Sequence, residues 1–188
     1  MNNGFLPEDY EVPVKVGNYM KLEDGENRFR VLTPAITGYE YWVDENGNVR
    51  AKDAKPQKGD KPERIRKTEL DSGESTIPVA AAETMRHFWA FVVWNYKHEK
   101  IQIYEITQTT IQKAITAYVK NKKWGSPLEY DIVITKTKTG PNPTDVEYTL
   151  LAEPKEEPEE KILTTHLATY VNLDALFDGE DPFKNPTE

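Results

Sequence analysis

Apolar positions alternate in short runs separated by turn residues through most of the chain, a pattern that predicts strands. Asn18 to Lys21 and Asn27 to Leu32 read as the opening pair, joined through Glu23-Asp24-Gly25 and closed by Thr33-Pro34. Gly38 to Val43 (Gly-Tyr-Glu-Tyr-Trp-Val) reads as a third strand, rich in the aromatics that suit sheets. The Asn46-Gly47 pair predicts a hairpin turn, with Val49-Arg50 opening the return strand. Residues 51–62, with their prolines and lysines, read as a mobile loop, and Gly73 to Pro78 as another irregular stretch.

Met85 to Tyr96 is the strongest apolar run. Its aromatic and β-branched content predicts a strand, and apolarity on both parities predicts a central one. Lys97 to Lys100 reads as a turn and Ile101 to Ile106 as the returning strand. The period then changes. Ile111, Ala114, Ile115 and Tyr118 make one helical stripe within Thr109 to Lys120, and Thr109 with Gln112 fits a capping box. Leu128 to Thr137 alternates again, and Val146 to Ala152 closes a final hairpin. The expected fold class is mainly β: an OB-fold-like five-stranded barrel with an extra hairpin and one helix between strands 3 and 4. Other small α+β domains share this order.

Composition changes after Ala152. Of 188 residues, 37% are hydrophobic and 30% charged, and the net charge is −8. Residues 153–188 hold 10 acidic and 3 basic side chains, so nearly all the negative excess lies there. Glu153 to Glu160 contains only Glu, Pro and Lys, which cannot fold alone. The expected division is a binding domain over 1–152 and a disordered acidic tail over 153–188, with helical spacing at 162–177. Arg50 to Lys67 runs the other way, with eight basic residues (Lys52, Lys55 and Lys58 among them) against Asp53, Asp60 and Glu63. Basic segments of this kind meet phosphates or simply face solvent.

Catalysis finds little support. There is no cysteine, so thiolate metal sites and disulfides are excluded. His87, His98 and His166 lack metal-helix spacing, Ser72, Ser75 and Ser126 lack a nucleophile elbow, and no glycine-rich phosphate loop occurs. A nuclease built on Glu129, Asp131 and Glu147 competes poorly with their reading as strand-edge charges. No metal and no cofactor is expected. No apolar run is long enough for a membrane span, and Met1 to Asp9 carries no leader pattern.

Sequence-tolerant binding of single strands needs cations along a groove and aromatic faces for bases. Lys21, Arg28, Arg30, Arg64, Arg66 and Arg86 are the candidate cations, and Tyr39, Tyr41 and Trp89 the candidate stacking faces. On the central strand Arg86, Phe88 and Trp94 share one parity, and His87, Trp89 and Phe91 the other. One parity has to supply the core, and a single aromatic is more often core than platform. Trp124, before Gly125, reads as a packing residue at the helix end.

Lys21 to Leu32 resembles the opening strands of tailed-phage single-stranded-DNA-binding proteins, a family similar in fold and task to the gene 32 protein of T-even phages. Phe88 to Trp94 looks like their central strand, Glu105 to Ile111 their strand-to-helix junction, and Trp124 to Pro127 with Tyr130 to Ile132 the approach to their last hairpin. The pieces keep their order over residues 15–155. The resemblance implies coating of exposed single strands in replication, recombination and repair, inside an infected bacterial cell. The structural zinc site of the T-even protein does not carry over, because this chain has no cysteine. Leu176, Phe177, Asp178, Asp181 and Phe183 resemble the acidic, Pro-Phe-tipped tails that recruit replication and recombination proteins, although Lys184 to Glu188 follow the phenylalanine here. Expected partners are therefore single-stranded DNA, such proteins through the tail, and a second copy of the chain. The rival expectation is a protein-interaction adaptor without DNA affinity.

Overall fold

A computed structural model describes residues 16–51, 54 and 56–186. Lys52, Asp53 and Lys55 of the basic stretch, and the leader test over 1–9, lie outside the described residues. The mainly β class is the one found, as a single antiparallel sheet of seven strands. These are β1 Gly25–Val31, β2 Ile36–Val43, β3 Lys61–Arg66, β4 Arg86–Asn95, β5 Lys100–Ile106, β6 Asp131–Lys138 and β7 Val146–Ala152. A short helix α1, Lys67–Ser72, follows β3; α2, Thr109–Lys120, joins β5 to β6; and α3, Glu160–Ala168, follows β7. The order across the sheet is β3-β2-β4-β1-β6-β7, with β5 also paired to β4.

β4 is the hub. Its first half pairs with β2, from Arg86 opposite Glu40 to Ala90 opposite Ile36. Its second half pairs with β1, and β5 lies along its other edge. Side chains of one parity, Phe91 and Val93, enter the main core with Phe29, Tyr104, Ile106, Ile132 and Ile134, which α2 closes through Ile111 and Ile115. The opposite parity, Phe88, Ala90, Val92 and Trp94, makes an outer face that is also apolar. A strand apolar on both sides has to be covered on both sides.

The cover on the outer face is the C-terminal segment, which corrects the expectation of a disordered tail. Leu176 packs with Phe88, Ala90 and Ile103, and Ile162 of α3 packs with Val92, Trp94 and Ile101. The apolar residues of 162–177 are too sparse to fold alone, but the outer face supplies the rest of their core. Leu176, Phe177 and Phe183, expected to face a protein partner, pack against the body instead, whereas Asp178 and Asp181 are exposed.

Three local expectations differ from what forms. Residues 18–21 make only one bridge, Tyr19 with Ile103. The hairpin after β2 closes at Asp44–Asn48 with Gly47 at φ 80°, but only Val49 bridges back to Val43; the full return strand comes later, at β3. Thr109 and Gln112 form no capping box, because Gln112 is buried and donates to the carbonyls of His87 and Ile106.

Replacing the buried Ile162 by alanine is expected to cost about 2–5 kcal/mol in urea unfolding. Leu167→Ala, on a side chain 88% exposed, is expected to change stability by less than about 0.5 kcal/mol. Equal, small effects from both would mean that α3 is not part of the folded unit.

Candidate nucleic-acid interface

The sheet divides the sequence-predicted residues between two faces. Residues paired across antiparallel strands point to the same side. Glu40 lies opposite Arg64 and Arg86, and Gly38 opposite Arg66 and Phe88, so these arginines belong to the outer face. Tyr39 lies opposite Ile65 and His87, and Tyr41 opposite Glu63, on the other face with Trp89. The tyrosines and the arginines, adjacent in sequence, therefore do not share a groove.

On the outer face Arg28, Arg30, Arg64 and Arg66 are occupied by the protein's own carboxylates. Arg30 and Asp131 form an ion pair with both side chains 3% exposed, and Arg30 also donates to the Glu156 carbonyl at 2.8 Å. Arg28 pairs with Asp131 at 2.6 Å and with Glu153 at 2.9 Å, and its guanidinium lies 4.6 Å from the Tyr96 ring centre. Burial, with the Asp131 carboxylate nearby, pushes the Tyr96 hydroxyl up to about 12. Arg64 bridges Glu40 at 3.3 Å and Glu105 at 2.9 Å. Burial raises the Glu105 carboxyl above its ordinary value; Arg64 opposes the shift and Glu40 adds to it.

Arg66 carries the clasp that holds the C-terminal segment. It pairs with Asp174 at 2.9 Å and with Glu69 at 3.1 Å, and it stands 4.3 Å over the Phe177 ring. Phe177 also meets Phe88, with ring centres 5.8 Å apart and the planes tilted by 49°. Gly38 makes room for this stack: a Cβ there would lie 2.9 Å from atoms of both rings.

The opposite face has a different character. Tyr39, His87 and Trp89 form an aromatic row, with centres 5.2 Å apart from Tyr39 to His87 and 6.4 Å from His87 to Trp89. All three are half-buried, and His87 Nε2 has no hydrogen-bond partner among the described residues. Tyr41 continues along β2, its hydroxyl raised by burial and by Glu63. The row ends at a cleft of about 320 Å³ between α2 and the β1–β2 connection, lined by Trp89, Phe91, Ile115, Val119 and Leu128 among others. Lys21 is exposed, outside both features.

Sequence reasoning missed the cleft and the lysines beside it. Lys120, Lys122 and Lys123 sit at the negative end of α2, where basic residues suit the helix dipole, and no other local signal marks them. Of the proposed nuclease carboxylates, Asp131 is held by Arg28 and Arg30, and Glu129 by Lys155. Among the described residues no group of three His, Asp or Glu is placed to hold a metal ion, and no helix is long and apolar enough to cross a membrane. No family model, curated protein or solved structure matches the chain.

Arg30→Ala removes one of the two guanidinium partners of the buried Asp131 and leaves Arg28 in place, so it is expected to cost about 1.5–3 kcal/mol in urea unfolding. A second expectation concerns pH. A carboxyl raised in the folded state takes up a proton more readily there than in the unfolded chain. Its charged form therefore costs stability at pH 7, and that cost is relieved as pH falls through the raised value. Urea midpoints at pH 7 and pH 5 should diverge between wild type and Glu105→Gln, with the variant lacking this component of acid stabilisation.

Proposed function

We infer that the chain binds single-stranded DNA without reading its sequence. The observation that carries this reading is the row Tyr39–His87–Trp89, three half-buried rings, tilted and edge-on to one another, on the side of the sheet opposite the C-terminal segment. Every base offers a face to stack on, so such a row needs no particular sequence.

The strand order supports the same reading. Take β1 and β2 as one long first strand interrupted at Thr33-Pro34, and β3 with α1 as an inserted excursion. The first strand then pairs with β4 and β6, β4 with β5, β6 with β7, and α2 joins β5 to β6. That order agrees with a partly open OB barrel, a fold that binds oligonucleotides. The ordered resemblance over residues 15–155 to tailed-phage single-stranded-DNA-binding proteins adds the setting: protection of exposed strands during phage replication, recombination and repair in the host cell.

The C-terminal segment has a distinct part in this reading. It lies on the outer face, away from the row, and its Phe177 and Asp174 occupy Phe88 and Arg66. The arginines expected to touch phosphates, Arg28, Arg30, Arg64 and Arg66, instead tie the outer face and its cover together. A second reading, a protein adaptor, rests on α3 and the residue run behind it, where Leu163, Leu167 and Tyr170 are exposed.

A labelled oligothymidine titration compared with duplex and with oligouridine of equal length tests the inference. Tight single-strand binding that weakens with salt, with little duplex binding, is expected. Tyr39→Ala and Trp89→Ala should each lose about 1–3 kcal/mol of binding, the contribution of one stacked base. Absence of binding at low salt would leave the adaptor reading in its place.

A further inference from the structure

The arginines are engaged, so the cations that track the phosphates have to come from elsewhere. Lys120, Lys122 and Lys123 are exposed, and their ammonium groups make no ion pair or hydrogen bond among the described residues. They stand at the end of α2 and in the turn behind it, between Val119 and Ser126, which both line the cleft at the end of the aromatic row. Lys123 is held in that turn through its backbone N–H, which donates to Asn121 Oδ1 at 2.9 Å. The nearest acidic residue in sequence, Glu129, is paired with Lys155.

The cleft itself is suited to an aromatic ring. Its walls are Val31, Ile115, Val119, Leu128, and the rings of Trp89 and Phe91. Thr33, Thr37 and Ser126 supply the side-chain hydroxyls of the lining, with no charged residue among it. Such a lining favours a flat apolar face over a group that needs to be hydrogen-bonded or neutralised. Charge outside and apolar surface inside match the two parts of a nucleotide, its phosphate and its base.

We propose that the cleft between α2 and the β1–β2 connection is a nucleotide subsite of the single-strand path, taking one base against Trp89 while Lys120, Lys122 and Lys123 hold the adjoining phosphates. This rests on the single-strand-binding reading and places its electrostatic component on lysines rather than arginines. The strand then runs from Tyr39 past His87 into the cleft.

The test is the salt dependence of oligothymidine binding by the full chain. Each phosphate neutralised on a single strand contributes about 0.7 to the slope of log K against log salt. Replacing Lys120, Lys122 and Lys123 together by alanine is expected to reduce the slope by about 2 and to weaken binding at low salt on the order of tenfold or more. Lys58→Ala, at an exposed lysine in the segment before β3, should leave the slope unchanged. Val119→Trp, which fills the cleft from its half-exposed rim, should weaken binding without altering the slope; urea unfolding checks that both variants fold.

Failure of the wild type to bind any oligonucleotide overturns the single-strand reading as a whole. Binding with a slope untouched by the triple replacement, or an affinity untouched by Val119→Trp, overturns the subsite alone. Capture of an acidic, aromatic peptide by the cleft, with neither variant affecting oligonucleotides, assigns it to a protein partner and likewise overturns the subsite.

Discussion

The structure depends on β4 being apolar on both faces. Phe91 and Val93 need a core on one side, and Phe88, Ala90, Val92 and Trp94 need another on the opposite side. Burial of apolar surface is the main favourable term in folding, and a sheet face of this composition left in water would invite association. The first requirement is met by α2 with β1, β5 and β6. The second is met by a segment more than sixty residues further along the chain, α3 and the turn after it. An acidic stretch that has no core of its own is ordered because the sheet provides one.

That arrangement decides which charges are available. Covering the outer face brings Asp174 to Arg66, while Glu153 and the Glu156 carbonyl reach Arg28 and Arg30. A guanidinium presents a planar fork that suits carboxylates, so arginines are the residues most readily consumed in such ties. The lysines of α2 and its following turn have no comparable partners among the described residues. The two faces consequently differ in kind: one is closed by ion pairs over apolar packing, and the other combines half-buried aromatic rings with lysines that make no ion pair among the described residues.

The sequence carried the hub, its hairpin with β5, α2 and the final hairpin because each has a local period or turn signal. Ile111, Ile115 and Tyr118 mark the helix without reference to anything distant. The outer cover was not legible, since the value of Ile162 and Leu176 as core residues exists only once Val92 and Phe88 lie beneath them. The same limit explains the arginines. Arg64 meets Glu40 and Glu105, and Arg66 meets Asp174, across separations that no local pattern encodes. Tyr39 and Trp89 were identified as stacking candidates from residue type and flanking charge, and the sheet register brings them into one row through His87. The cleft at the end of that row was missed because its walls come from four separate stretches of chain.

Amide hydrogen exchange on the full chain, with and without saturating oligothymidine, tests most directly that the strand is held on the face opposite the C-terminal segment. Added protection should fall on β2 around Tyr39, the start of β4, and the end of α2 through Ser126, with residues 160–183 unchanged. Protection confined to the outer face, or loss of protection in 160–183 as the strand binds, would contradict the account and place the DNA where the C-terminal segment now lies.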